Sequence, residues 1–317
     1  MNVEELVGRA RDGQPRAVAK LISLVEDAHP LLREVAAVLT PYTGRARIIG
    51  LTGPPGVGKS TSTSMLLSAL RKENKRVGVL AIDPTSPFSG GALLGDRIRM
   101  TEHATDPGVY IRSMATRGHL GGLAWAAPQA VRVLDAAGFD VVLIETVGVG
   151  QSEVDVVRLA DTTVVLLAPG MGDGIQAAKA GVLEIADVFV VNKADRDGAD
   201  LVVRDLRQMM SLVRKEIRGE SWRQPVVTTV ASECRGAEDL IGALNQHHDW
   251  MVAHGELDRR RAARAASEVE AIALRELQSR FADLHGGGLS ELAAKVVDRV
   301  LDPYAAADSL LKDLEAR

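Results

Sequence analysis

The stretch Gly53-Pro54-Pro55-Gly56-Val57-Gly58-Lys59-Ser60 decides the fold of this 317-residue chain. It has the spacing G-x-x-x-x-G-K-[ST], and it lies between an apolar β-like run and a helical pattern. Glycine allows such a loop to curl so that its N–H groups point at phosphate oxygens, with a helix N-terminus behind them. We therefore expect Lys59 to reach the β- and γ-phosphates of a nucleotide, Ser60 to bind Mg²⁺ and Thr61 to support the α-phosphate.

Short, largely apolar runs recur on both sides of this loop, with room for crossover helices between them. This pattern is typical of strands that helices cover on both faces, so it predicts an α/β fold with a doubly wound, mostly parallel sheet. The predicted strands are Arg47 to Thr52, Arg76 to Ile82, Val109 to Arg112, Phe139 to Ile144, Thr162 to Ala168, Val188 to Val191 and Val226 to Val230.

The two ends of the chain have only helical periodicity. We expect a helical N-terminal extension over 1–44, a nucleotide-binding domain over 45–254 and a helical C-terminal arm over 255–317. The predicted helices of the arm are Glu256 to Leu284, Leu289 to Leu301 and Pro303 to Leu314, separated by a run of three glycines and by Pro303.

Composition excludes several classes of function. The 38 basic and 42 acidic residues give a net charge of −4, which disfavours nucleic acid as a partner. No window is apolar enough to cross a membrane, and the N-terminus has no apolar leader, so we expect a cytoplasmic protein. Cys234 is the single cysteine, and we expect it to be buried.

Asn192-Lys193-Ala194-Asp195 follows a predicted strand and has the pattern N-K-x-D. The carboxylate of Asp195 can accept from both N1–H and N2–H₂ of guanine, whereas adenine would leave it unpaired, a difference worth roughly 10⁴-fold. We expect Asn192 to tie this loop to the phosphate loop and Lys193 to cover the face of the base. Ala231 and Ser232 are weaker candidates for a backbone contact to the guanine oxygen.

Further candidates lie where nucleotide-sensing segments occur. Glu145-Thr146-Val147-Gly148 follows a predicted strand, so Glu145 is expected near the metal and the Gly148 N–H at the γ-phosphate. Val149 stands where Ras-like proteins keep a water-orienting glutamine, which predicts slow intrinsic hydrolysis. Asp83 and Asp96 flank a Pro- and Gly-containing loop and suit Mg²⁺ sensing, although Asp96 could instead cap a helix.

These motifs together resemble the MeaB/ArgK family of P-loop GTPases, and the resemblance runs nearly end to end. Its most specific strings are Asp83-Pro84-Thr85-Ser86-Pro87-Phe88, Gly95-Asp96-Arg97 and Glu145-Thr146-Val147-Gly148-Val149-Gly150-Gln151-Ser152-Glu153. The resemblance implies a SIMIBI-like P-loop NTPase fold, binding of GTP or GDP with Mg²⁺, and a homodimer formed through the C-terminal arm. It also places Asp83, Asp96 and Glu145 among the metal-shell acids, and Gln176 and Lys179 in a mobile switch.

The function that this resemblance implies is a GTPase chaperone of adenosylcobalamin-dependent methylmalonyl-CoA mutase or a related acyl-CoA mutase. Such a protein would gate cofactor loading, protect the mutase and turn over faster when the mutase binds. Three alternatives stay open: a kinase of a periplasmic amino-acid transport system, a nickel metallochaperone, and an adaptor that binds GTP without turnover. The sequence shows no acceptor site for a kinase, and it offers only the pair His247-His248, expected on a solvated helix face, as a nickel store.

Overall fold

The computed structural model describes residues 2–83, 101–103, 105–115, 122–146, 159–170, 185–214, 221–284 and 288–315. Its seven described strands form one sheet in the order β3-β2-β4-β1-β5-β6-β7. All the strand pairs are parallel, so the doubly wound α/β sheet is confirmed. The strands are β1 Arg47–Thr52, β2 Val77–Asp83, β3 Val109–Ala115, β4 Val141–Thr146, β5 Thr162–Leu167, β6 Val188–Asn192 and β7 Val226–Thr229.

Helices cover both faces of this sheet, which explains why the strands lack polar alternation. Helices α4 and α7 pack on one face, while α1 to α3, α5 and α6 pack on the other. The helices are α1 Val3–Arg11, α2 Pro15–Glu26, α3 Leu32–Leu39, α4 Lys59–Lys72, α5 Gly122–Ala136, α6 Ala199–Arg214, α7 Ala237–Ala253, α8 Glu256–Leu284, α9 Gly288–Val297 and α10 Pro303–Glu315.

The N-terminal helices belong to the same core as the sheet. Leu21 and Ile22 of α2 are fully buried and share a hydrophobic cluster with Leu134 of α5 and Val142 of β4. Alternate residues of β1 point to opposite faces: Ile48 enters this cluster, and Ile49 enters the cluster around α4. The first helices therefore extend the layer on one side of the sheet.

Strand ends differ from the prediction where neighbouring strands continue the hydrogen-bonded ladder. Strand β4 was expected at Phe139 to Ile144, but Glu145 and Thr146 still pair with Ala81 and Ile82 of β2. Similarly, β3 continues to Ala115, which pairs with Asp83. Glu145 consequently stands on a rigid strand, whereas the sequence placed it in the loop after the strand.

The chain divides into two compact units, residues 1–264 and 265–317. The first contains the sheet, its covering helices and the beginning of α8. In the second, α9 packs against α10. Throughout the described part of the chain, no helix has both the length and the apolar character that crossing a bilayer requires.

Candidate nucleotide site

The phosphate loop curls at the carboxyl end of β1 because its three glycines adopt backbone conformations that other residues avoid. Gly53 has φ +142°, and a Cβ there would lie 2.3 Å from the carbonyl oxygen of Leu166 in β5. Gly58, which precedes α4, has φ +95°, and its Cβ would lie 2.5 Å from Nδ2 of Asn192. The loop is therefore pressed between the ends of β5 and β6, with no space for side chains at these two positions.

Lys59 turns its side chain back into this loop. Its Nζ donates to the carbonyl oxygens of Gly53, at 2.5 Å, and of Pro54, at 3.0 Å. The residue is only 8% exposed although it carries a charge. Buried lysines are uncommon without a charge-balancing role, and this ammonium group lies inside a loop shaped for phosphate oxygens.

Ser60, the residue after Lys59, forms a polar pair with Glu145 of β4. Ser60 Oγ donates to Oε1 of Glu145 at 2.5 Å, and both residues are buried. These two elements meet because the start of α4 lies over the end of β4. A hydroxyl and a carboxylate oxygen are hard ligands of the kind that Mg²⁺ prefers, so the donor set fits that ion.

The structure describes only some of the residues that were predicted for the metal shell, the γ-phosphate and the switch. Asp83 is the last residue of β2, and its backbone lies beside Ala115 of β3, at the same carboxyl edge of the sheet as the phosphate loop. Asp96, Gly148, Gln176 and Lys179 lie outside the described residues. Their assignments to the metal shell, the γ-phosphate and the switch stay predictions.

Asn192 begins the segment Asn192-Lys193-Ala194-Asp195, the base loop, and joins it to the phosphate loop, as predicted. Its Nδ2 donates to the carbonyl oxygen of Val57 at 2.8 Å, and the residue is 3% exposed. Its Oδ1 accepts from Thr229 Oγ1 at 3.1 Å and from the N–H of Ala231 at 3.0 Å. One amide side chain thus connects three loops that each follow a different strand.

These bonds also change the expectation for Ala231. Its N–H was proposed for the guanine oxygen, but in this structure it is donated to Asn192. Ser232, the next residue, is exposed, as is Asp195. Lys193 has φ +58°, and its Nζ reaches the carbonyl oxygen of Gly56 at 2.6 Å, so its side chain bridges the base loop and the phosphate loop.

Comparison with known proteins agrees with this geometry. A family model described as methylmalonyl-CoA mutase-associated GTPase MeaB matches residues 18–285. The chain belongs to the MeaB family of GTPases. This family membership confirms the resemblance drawn from the motifs, and it implies binding of guanine nucleotides.

Relatives of this MeaB-family chain span nearly its whole length. A Pyrococcus abyssi protein, named only as a predicted GTPase, is 48% identical over 98% of this chain and 97% of its own. The mouse protein named methylmalonic aciduria type A homolog, mitochondrial, is 35% identical over 96% of this chain and 78% of its own. A crystal structure titled LAO/AO transport system kinase covers 99% of both chains at 27% identity, with a TM-score of 0.70.

Two sequence-based expectations about single residues were wrong. His247 was placed on a solvated helix face, but it is fully buried and its Nδ1 lies 2.9 Å from Thr162 Oγ1. Cys234 was expected to be buried, but it is exposed and has φ +55° in the loop after β7. Helical periodicity is a weak guide to which side of α7 faces the sheet, and a short loop after a strand gives a cysteine no core to enter.

The MeaB-family chain also contains a buried ionic cluster that was not predicted from its sequence. Asp161 and Asp187, the residues directly before β5 and β6, bind arginines of α8. Arg260 donates two bonds to Asp187, both 2.8 Å long. Arg261 and Arg264 bind Asp161 at 3.0 and 3.1 Å. The signal was an aspartate immediately before each of two apolar runs, together with arginines three and four residues apart on a helix.

Proposed function

We propose that this chain is a GTPase chaperone of an adenosylcobalamin-dependent acyl-CoA mutase, either methylmalonyl-CoA mutase or a related enzyme. The observation that carries the proposal is the bond from Asn192 to Val57, which holds a base loop and a phosphate loop together in one site. The description of the matching family, a mutase-associated GTPase, supports the choice of client. In this role the protein would gate cofactor loading and protect the mutase.

Hydrolysis of GTP would depend on three buried side chains. Lys59 would exchange its bonds to Gly53 and Pro54 for phosphate oxygens, and its charge would stabilise the negative charge that develops between the β- and γ-phosphates. Ser60 and Glu145 would hold Mg²⁺, which neutralises phosphate charge when it is bound. Because Glu145 is on a strand, its carboxylate would be positioned before the nucleotide arrives.

Guanine specificity would come from Asp195. Its carboxylate is exposed at the carboxyl edge of the sheet, near Lys193, whose side chain already reaches over the phosphate loop. Two acceptor oxygens would match the two adjacent donors of guanine. The exposed position of Ser232 supports a weaker backbone contact to the guanine oxygen.

The C-terminal arm would form a homodimer. In the single chain, helices α8 to α10 and the segment between α9 and α10 expose large apolar side chains, a pattern that marks interaction surfaces. These residues are Val269, Ile272, Leu274, Leu277, Leu289, Val297, Val300, Tyr304 and Leu311. Tyr304 is 84% exposed and Val297 is 79% exposed, so both belong to the apolar surface that a second copy would cover.

The decisive experiment measures phosphate release from GTP by the protein alone and with saturating methylmalonyl-CoA mutase. We expect slow, Mg²⁺-dependent turnover of GTP that the mutase accelerates. ATP is the control nucleotide, and we expect almost no phosphate release from it. The variant Lys59→Ala should lose about 10²-fold of the turnover, because it lacks the charge placed against the phosphates. Equal rates with and without mutase would contradict the chaperone role, and undiminished turnover in Lys59→Ala would remove this loop from the reaction.

A further inference from the structure

A cavity of about 840 Å³ opens at the amino edge of the sheet. Arg47 and Val141, the first residues of β1 and β4, line it, whereas the phosphate loop follows the opposite, carboxyl end of β1. All its lining residues lie within the first compact unit. Pockets of roughly 300 to 1,000 Å³ are the usual size for small organic ligands, so this cavity is large enough for one.

Basic side chains outnumber acidic ones in the cavity wall, five to three, although the whole chain is acidic. The lining cations are Arg11, Arg45, Arg47, Lys75 and Arg261, and the lining acids are Glu73, Asp135 and Asp140. Asp135 is already engaged, because its carboxylate accepts the backbone N–H groups of Gly44, Arg45 and Ala46. Arg261 is paired with Asp161.

The remaining four cations have no carboxylate partner within the described part of the chain. Arg45 and Lys75 are exposed, and Arg11 lies over the ring of Tyr42, 3.6 Å from its centroid. Arg47 is half-buried and donates only to neutral acceptors, Asn245 Oδ1 at 2.7 Å and the carbonyl oxygen of Leu244 at 2.9 Å.

The electrostatic effect of lacking a carboxylate partner is clearest at Arg47. Burial lowers the pKa of its guanidinium, and the more distant charges of Asp249, Asp161 and Glu73 offset this only in part. Arginine nevertheless stays protonated at neutral pH. A partly desolvated cation that lacks a bonded carboxylate favours the arrival of an anion from the cavity.

A simpler role for these cations would be to satisfy carbonyl groups beyond the ends of α4 and α5, which also face this edge. Other arginines already do this. Arg71 donates to the carbonyl oxygen of Lys75, and Arg76 donates to those of Ala137 and Gly138. The side chains of Arg45 and Lys75 are therefore not needed for the helix ends.

We propose that this cavity binds an organic phosphate at a site separate from the GTP site. Three of the four unpaired cations are arginines, whose planar forks match phosphate oxygens with two parallel hydrogen bonds. The volume exceeds that of inorganic phosphate, and Leu70, Val141 and Leu257 in the wall provide apolar contact for the organic part of the ligand.

The test uses the full-length protein with excess GDP and Mg²⁺, which keeps the phosphate loop filled. Phenyl phosphate and citrate are titrated separately, and binding is followed by ligand-detected NMR. The double variant Arg45→Ala/Lys75→Ala removes two exposed charges from the cavity. The matched control, Arg16→Ala/Lys20→Ala, removes the same two charges from exposed positions of α2 that do not line it. A third protein, Arg47→Gln, tests the half-buried position.

We expect phenyl phosphate to bind the wild type and the control equally, and to bind the cavity variants about tenfold more weakly for each charge-assisted hydrogen bond that the substitution removes. Failure of phenyl phosphate to bind, or equal binding by all variants, would overturn the proposal. Binding of citrate without phenyl phosphate would show that the ligand class is wrong. A control titration leaves GDP out. Phenyl phosphate that binds only in the absence of GDP would occupy the phosphate loop, and this result would also overturn the proposal.

Discussion

The side chain of Asn192 connects the base loop to the phosphate loop. Its amide nitrogen and oxygen have opposite hydrogen-bonding roles, so it can donate to Val57 while it accepts from Thr229 and Ala231. An aspartate of the same shape would have no donor for the carbonyl of Val57. Position 58 must be glycine for the same contact to form. Any Cβ there would lie 2.5 Å from Nδ2 of Asn192 and would displace its amide group.

Asp195→Asn should change which base the protein prefers. The amide would offer a donor where the carboxylate accepts, so we expect the affinity for GDP to fall by about 10²-fold and that for xanthosine diphosphate to rise. Titration of fluorescent GDP and xanthosine diphosphate measures both affinities. Asp197→Asn, an exposed aspartate in the same loop, is the matched control and should keep its preference for GDP. Unchanged GDP affinity in Asp195→Asn would contradict the assignment of the base.

At the scale of elements, the amino ends of β5 and β6 are fastened to the beginning of α8. Asp161 accepts from the N–H of Ile48 in β1, and Asp187 accepts from the N–H of Thr163 in β5, so each aspartate also joins two strands. Burial alone would raise the pKa of Asp187, but His247 and Arg260 outweigh burial and hold it below its ordinary value. Because β6 ends in Asn192, the strand that carries the base loop is secured at both ends.

Asp187→Asn should lower the free energy of unfolding by about 3 kcal/mol at pH 7, because it leaves Arg260 without its buried partner. The depressed pKa means that the charge of Asp187 stabilises the fold above its ordinary pKa of about 4, and that this contribution is lost as the pH falls through the lower folded value. The difference between wild type and variant should therefore shrink in acid.

Urea unfolding followed by circular dichroism at several pH values measures this difference. Asp308→Asn, at an exposed position of α10, is the control and should change stability by less than about 0.5 kcal/mol. A loss below about 1 kcal/mol for Asp187→Asn at pH 7 would mean that the cluster is not a buried ion pair in solution.

At the scale of the whole molecule, the arginine cluster shows where a truncation should be made. Arg260, Arg261 and Arg264 are within the first compact unit, while the large exposed apolar residues of the arm begin with Val269 in the second. The predicted domain boundary at residue 255 would cut the chain before these arginines. A shortened chain ending at Arg264 keeps the bonds to Asp161 and Asp187 and removes the apolar surface.

Light scattering should show that the full chain is a dimer of about twice 33.8 kDa and that the chain ending at Arg264 is a folded monomer. A chain ending at Gly255 should also be monomeric but less stable, because Asp161 and Asp187 would lose their arginine partners. A full-length monomer at micromolar concentration, or a dimer that persists after removal of residues 265–317, would contradict dimerisation through the arm.

Local sequence determined the parallel sheet, the phosphate loop and the N-K-x-D loop, because strand periodicity and glycine geometry depend on neighbouring residues. The helix Glu256–Leu284 was also predicted with both ends correct, since Gly255 and the glycines after Leu284 interrupt the helical pattern. Strand ends were less accurate, because the ladder at Glu145 and Thr146 depends on how far β2 extends beside them.

Only the tertiary structure decided which distant side chains meet. Asn192 and Val57 are 135 residues apart, and Arg261 and Asp161 are 100 residues apart, so no local pattern could pair them. The burial of His247 had the same origin: its neighbours Thr162 and Asp187 come from β5 and from the segment before β6. Motifs are readable in a sequence because they are short, whereas charge compensation in a folded core depends on contacts that exist only after the chain has folded.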